Sequence, residues 1–180
     1  MSDAHRIGLH ALPPAGIIGL RGAPDDAGFL AAVQAALGLA LPTGPCTSAN
    51  TAAVQALWLA PDEWLLLCER AAVAPLLAQL REALRTQHHQ CVDNSGGFAQ
   101  FAVCGDAAAQ VLAHCSVYDC ARLAPGRVVG TTLGRVTAFI RRDAATGGFV
   151  LLVRSSFADH AWRILQRAAL PYASAAPPAL

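Results

Sequence analysis

Ala53-Val54-Gln55-Ala56-Leu57-Trp58-Leu59-Ala60-Pro61-Asp62-Glu63-Trp64-Leu65-Leu66-Leu67-Cys68 reads as a β-hairpin, two apolar runs on either side of a Pro-Asp-Glu turn. Upstream, Gly16-Ile17-Ile18-Gly19-Leu20-Arg21 reads as a short strand. Pro24-Asp25-Asp26 follows, then Phe29, Leu30, Val33 and Leu37 at helical spacing. An Asp ahead of such a run is a helix N-cap, because its carboxylate accepts the orphan N–H groups of the first turn. Gly38 closes this helix and Pro42 prevents its return. Downstream of the hairpin, a second helix is expected from about residue 72 to 86, with Leu76, Leu77, Leu80 and Leu84 on one face. Pro75 is tolerable there only in the first turn, where its missing N–H costs nothing.

The same order then recurs. Phe98-Ala99-Gln100-Phe101-Ala102-Val103 reads as a strand, and Gly105-Asp106 is placed to cap a helix carrying Val111 and Leu112. Val128 to Ile140 and Phe149 to Val153 read as a hairpin across Asp143 to Gly148, which holds a Gly147-Gly148 turn signal. Ser156 with Asp159 has the spacing of a capping box for a last helix, with Phe157, Ala161, Ile164, Leu165 and Ala168 on one face. Asp25 corresponds to Asp106 at an offset of 81 residues, and Trp64 to Phe149 at an offset of 85. The fold class implied is α+β: two ferredoxin-like βαββα halves packed as one body. The expected division is residues 1–90 and 91–172, with a polar, glycine-bearing junction at 86–97 and a flexible tail at 173–180. Each half is too small to bury a sufficient core alone.

Composition narrows the function classes. The chain has 180 residues, 54% hydrophobic and only 14% charged, against about 25% charged in an ordinary soluble domain. Arginine supplies all 13 basic residues against 12 acids, and lysine is absent. A generic nucleic-acid binder would be strongly basic, so no nucleic acid is expected as partner. The charges are segregated: residues 1–120 carry a net −5 and residues 121–180 a net +6. Complementary fields of that kind orient docking, and a charge-poor surface is one that something else covers. Residues 27–61 hold no charge, but Pro42, Gly44 and Pro45 interrupt them before the roughly 20 apolar residues a membrane span requires. No signal-peptide h-region follows Met1-Ser2-Asp3-Ala4-His5-Arg6, so no membrane association is expected and the cytoplasm is the expected compartment. The six cysteines, at 46, 68, 91, 104, 115 and 120, show no CxxC spacing. They read as buried or incidental thiols in a reducing compartment.

These residues carry a resemblance. Leu57-Trp58-Leu59-Ala60-Pro61-Asp62-Glu63-Trp64-Leu65-Leu66 is similar to the tryptophan-rich hairpin of the gamma subunit of heterotetrameric sarcosine oxidase. Gly126-Arg127 with Thr132-Leu133-Gly134-Arg135 is a second match, and Leu152-Val153-Arg154-Ser155-Ser156-Phe157-Ala158-Asp159 with Trp162 a third. Leu41-Pro42 with Pro45 and Thr47, and Val92-Asp93 with Ser95, extend the likeness across roughly residues 20–170. Cys46 stands where the family pattern has Asn, and Ser116-Val117-Tyr118-Asp119 replaces a Pro-Leu-Asp. The resemblance implies a fold like the folate-binding domain of aminomethyltransferases and a non-catalytic support role. It implies that FAD, FMN, NAD, tetrahydrofolate and zinc sit on partner alpha, beta and delta subunits. Together these oxidise sarcosine to glycine, pass the one-carbon unit to tetrahydrofolate and reduce oxygen to hydrogen peroxide. Self-association when the chain is expressed alone stays open.

The residues, read for chemistry, agree with a support role. No GxGxxG opens a helix after a strand, and the absence of lysine removes any P-loop or Schiff base. Asp25-Asp26 and Asp62-Glu63 are explained by capping and turn formation. His88-His89 is expected at a helix end, complementing its dipole. His114-Cys115 with Cys120 is the one local cluster that suggests metal, and it has no second pair to close a tetrahedron. No catalytic, cofactor or metal residue is therefore assigned to this chain. Four residues are candidate subunit-interface or ligand contacts: Trp58, Trp64, Arg127 and Arg154. Arg154 reads either as a bidentate carboxylate contact or as an edge residue pairing with Asp159, the second being preferred. Two other function classes stay open: a free-standing binder of folate or another pterin in the cleft between the halves, and an enzyme using Cys115 or Cys120 as nucleophile.

Overall fold

The computed structural model describes residues 7–143 and 146–172. In chain order the elements are β1 (Gly8–Ala11), β2 (Gly16–Gly22), α1 (Ala27–Leu37), β3 (Ser48–Asn50), β4 (Val54–Ala60), β5 (Glu63–Cys68), α2 (Val73–Ala83) and β6 (His89–Asp93). They continue with β7 (Phe98–Cys104), α3 (Ala108–Ala113), β8 (Val128–Leu133), β9 (Val136–Arg142), β10 (Phe149–Arg154) and α4 (Ala158–Ala169). The chain divides into two compact units, one of residues 13–97 with 126–128, the other of residues up to 12, 98–125 and from 129 onward. Each unit holds one five-stranded sheet whose neighbouring strands all run antiparallel.

In the first unit the sheet order is β3-β4-β5-β2-β6. Removing the short edge strand β3 leaves the βαββαβ arrangement of a ferredoxin-like fold. The hairpin β4–β5 forms around Pro61-Asp62, with Trp58 directly opposite Trp64 and an irregularity in register just after it. Asp26 caps α1 as its position dictates, its Oδ1 accepting from the Gly28 and Phe29 N–H groups at 2.8 and 3.1 Å. Gly38 closes α1 in the left-handed region at φ 63°, where a side chain would be strained. Phe29, Val33 and Leu37 of α1, and Val73, Leu77 and Leu80 of α2, close over Ile18, Leu20, Val54, Ala56, Trp64 and Leu66 of the sheet. Ile17, Leu57, Leu65 and Leu67 point to the other face and are buried as well. Strands buried on both faces read as continuous apolar runs, which is why Trp64-Leu65-Leu66-Leu67 shows no alternation.

The second unit has the order β1-β7-β10-β9-β8. Its helices α3 and α4 pack on Phe101, Val103, Ala138, Ile140, Phe149, Leu151 and Val153. Here the place that β6 takes in the first unit is taken by β1 from the opposite end of the chain.

Several expectations are corrected. The segment 86–97 is no mere junction, because its centre is the strand β6, paired with β2 from Ile18↔Asp93 to Gly22↔His89. Leu9 likewise pairs with Val103, so β1 belongs to the unit of the later residues rather than to residues 1–90. Val128 to Ile140 is two strands, β8 and β9, because Gly134 turns the chain at φ 63°. Asp106 does not cap α3, whose N-cap is Ala107 with no side-chain bond. The Ser156–Asp159 capping box is also not made, since a 3-10 turn at Ser155–Phe157 leads into α4 and Phe157 is its N-cap. His88-His89 lies beyond α2, which ends at Ala83. The Asp143–Gly148 turn lies partly, and the tail 173–180 wholly, outside the described residues.

Candidate functional site

The four candidate contacts fall in different environments. Trp64 is wholly buried, its exposure 0%. Its ring lies 5.9 Å from that of Phe29, and its Nε1 donates to the Pro42 carbonyl at 2.7 Å. A partner cannot reach it, so Trp64 is a core residue and not a contact. Trp58, across the ladder, is half-buried against the same core. Its Nε1 is shielded from solvent yet meets no acceptor. Arg127 is exposed, and its backbone forms an isolated bridge with Thr47. The bridge is flanked by the Ser48 N–H to Gly126 carbonyl and Val128 N–H to Cys46 carbonyl bonds.

Arg154, at the end of β10, is exposed with its guanidinium carbon 4.4 Å from the centre of the Phe98 ring. The expected pairing with Asp159 does not form, because Asp159 binds Arg163 one helical turn on, at 2.9 Å. The cation–π stack holds the Arg154 side chain along the sheet while its charge faces solvent. Of the four candidates, Arg127 and Arg154 are exposed, Trp58 lies at the margin of a core and Trp64 is enclosed within it.

Two further arginines, adjacent on β9, carry no motif in the sequence. Arg142 gathers the turns around it, its Nε and Nη1 donating to the carbonyls of Leu123 and Gly147 at 2.8 Å each and its Nη2 to that of Ala121 at 3.3 Å. Its guanidinium also lies 4.6 Å from the Phe149 ring centre. Its neighbour Arg141 points to the opposite face of β9 and is half-buried, with a buried Nε that meets no acceptor. Burial lowers its pKa. Alternation along β9 is the signal that separates these two adjacent arginines.

Cys115 and Cys120 are not poised as nucleophiles. All six cysteines are free thiols. Burial pushes the thiols of Cys115 and Cys120 up to about 11, so little thiolate exists at neutral pH. Cys115 Sγ is turned to the carbonyls of Val111 and Leu112 at 3.5 and 3.6 Å. Among the described residues no group of three or more His, Cys, Asp or Glu side chains is arranged to hold a metal ion. A depression of about 490 Å³ in the first unit is lined by Arg21, Asp62, His88, His89 and Gln90. Its arginine is committed to Glu63 at 2.8 Å. No helix among the described residues is long and apolar enough to cross a membrane.

With this geometry in place, comparison with known proteins is specific. The model of the sarcosine oxidase, gamma subunit family matches residues 21–171. The chain is 31% identical over 162 residues to the sarcosine oxidase subunit gamma of Corynebacterium sp. (strain P-1), covering 88% of this chain and 78% of that protein. To the corresponding subunit of Corynebacterium sp. (strain U-96) it is 32% identical over 146 residues, covering 79% and 69%. Among solved structures, a chain of the heterotetrameric sarcosine oxidase from Corynebacterium sp. U-96, determined in complex with pyrrole 2-carboxylate, superposes with a TM-score of 0.85. Its identity is 30%, and the match covers 97% of this chain and 89% of that one. The aminomethyltransferase T of the glycine cleavage system from Bartonella henselae matches with a TM-score of 0.63 at 21% identity, over 90% of this chain and 46% of that one. That second likeness is one of fold alone, and it agrees with the folate-binding-like architecture expected from the hairpin and its neighbours. The protein described here belongs to the sarcosine oxidase, gamma subunit family.

Proposed function

We propose that this chain is a non-catalytic subunit that completes and supports a heterotetrameric sarcosine oxidase. The observation that carries the reading is the superposition of 97% of the chain, at a TM-score of 0.85, on a chain of such an oxidase. The assembly converts sarcosine, tetrahydrofolate and oxygen to glycine, methylenetetrahydrofolate and hydrogen peroxide. FAD, FMN, NAD, tetrahydrofolate and zinc belong to its alpha, beta and delta partners. This chain contributes packing and surface. Side chains that could have served chemistry or contact are engaged structurally: Trp64 in a core, Asp26 in a cap, Cys115 and Cys120 as buried thiols. The scarcity of charge, 14% of residues, fits a surface that partners cover.

Purification of the tagged chain from its native host tests the reading. The expected result is recovery of flavin-bearing oxidase subunits in fixed proportion, with sarcosine-dependent hydrogen peroxide production. A chain that runs alone, with no large flavoprotein partner, overturns it.

A further inference from the structure

The outward stripe of α4 is a docking surface: we propose that it receives an acidic, partly apolar segment of a partner subunit. The inference rests on the subunit reading above and names the face by which docking occurs. On α4, Ala161, Leu165 and Ala169 recur every fourth residue and are buried in the core of the second unit. The opposite stripe, His160, Arg163, Ile164 and Arg167, continues into Leu170 of the following 3-10 turn, again at helical spacing.

Three features of this stripe argue together. First, it is lined by shallow grooves. One of about 470 Å³ runs along His160, Arg163, Gln166 and Leu170, and one of about 300 Å³ along His114, Cys115, Ala168 and Pro171. Ile164 and Arg167 border both grooves, so a single ridge divides two concave sites. Second, the stripe offers apolar anchors: Leu170 is 71% exposed and Ile164 is half-buried. The Gly134–Arg135 turn is seated against it, since a Cβ on Gly134 would fall 2.4 Å from Ile164 Cδ1.

Third, the charge is one-sided. Arg167 lies on the stripe and Arg135 on the turn beside it, while Arg163 is paired with Asp159, the single acid of α4, so the face keeps a net positive charge. Arginine bordering an exposed leucine and a half-buried isoleucine fits an interface, where arginine is enriched relative to the rest of a protein surface. A face of that sign attracts an acidic partner and rejects a basic one.

The test uses the assembled complex. Arg163→Glu with Arg167→Glu reverses the stripe, and Arg70→Glu with Arg85→Glu, on exposed positions of the other unit, applies the same change in net charge elsewhere. Both variants should melt close to wild type and to each other, since these side chains are exposed and each variant breaks one surface ion pair, Arg163–Asp159 or Arg85–Glu82. The stripe variant should bind the other oxidase subunits at least about tenfold more weakly, and wild-type binding should weaken as salt rises, while the control variant binds as wild type. Equal binding by wild type and stripe variant overturns the assignment of this face but leaves the subunit reading standing. A wild-type chain that recovers no oxidase subunit overturns both. If the stripe variant instead abolishes a homodimer of the isolated chain and leaves oxidase binding intact, the occupant is a second copy and the proposal fails.

Discussion

Trp58 and Trp64 face each other across one ladder, yet replacing each by phenylalanine should have very different costs. Trp64→Phe removes the Nε1–H that meets the Pro42 carbonyl at 2.7 Å. That strands a carbonyl next to a side chain of 0% exposure. Leaving that partly buried acceptor unpaired costs about 1–3 kcal/mol, the upper end being reached only if water stays out. The atoms lost from the indole leave a gap under Phe29, adding about 1 kcal/mol at the rate found for core truncations. The expected total is about 2–4 kcal/mol. Trp58→Phe removes an Nε1–H that is shielded and has no acceptor, so it relieves an unsatisfied donor while giving up some packing. The two terms oppose, and the net change should stay within about 1 kcal/mol. Urea unfolding followed by circular dichroism measures both. With a slope of about 2 kcal/mol/M, Trp64→Phe should lower the midpoint by about 1–2 M and Trp58→Phe by no more than about 0.5 M. Equal midpoint shifts for the two variants would refute the reasoning, because they would mean that the hydrogen bond to Pro42 decides nothing.

Other outcomes follow from single contacts. Gly134→Ala should destabilise by about 1–2 kcal/mol in thermal or urea unfolding, since Gly134 sits at φ 63° and a Cβ would meet Ile164 at 2.4 Å. Thiol labelling of Cys115 and Cys120 in the native chain should be slow at pH 8 and rise with pH towards about 11, the value to which burial pushes both thiols. Cys115→Ser and Cys120→Ser should leave the oxidase activity of the complex intact, and loss of turnover with assembly retained would reinstate a thiol nucleophile. The Asp93 carboxylate is held below its ordinary pKa by the Ser95 hydroxyl and then the Ser95 N–H, which donates at 2.9 Å. A depressed folded pKa stabilises above the unfolded value of about 3.9, and that contribution is lost as pH falls through the folded value. Asp93→Asn should therefore flatten the decline of stability in acid, and an unchanged acid profile would show the contact to be without effect.

Much of the local architecture was legible from residue order. Asp26 and Gly38 bracket α1 because capping needs only groups within a few residues, and those groups are present in the sequence. The expected caps at Asp106 and Ser156 failed for a related reason: α3 and α4 begin through tighter turns, and a capping pattern does not report which turn geometry the fold will impose. Of the candidate contacts, composition could single out Trp64 and Arg154 but not tell a core indole from an exposed one, nor a carboxylate partner from an aromatic ring.

Alone, the sequence determined the pairs of strands and helices, their order, their repetition and the hairpin at Pro61-Asp62, since each depends on periodicity or turn chemistry within about a dozen residues. It also carried the family likeness. Only the tertiary structure decided which strand closes each sheet. Gly8 pairs with Cys104, and β6 closes the other sheet from a segment that reads as a linker. Strand pairing is made by ladder hydrogen bonds between backbone groups that every residue carries, so the partner across 96 positions is chosen by burial and geometry rather than by any local signal.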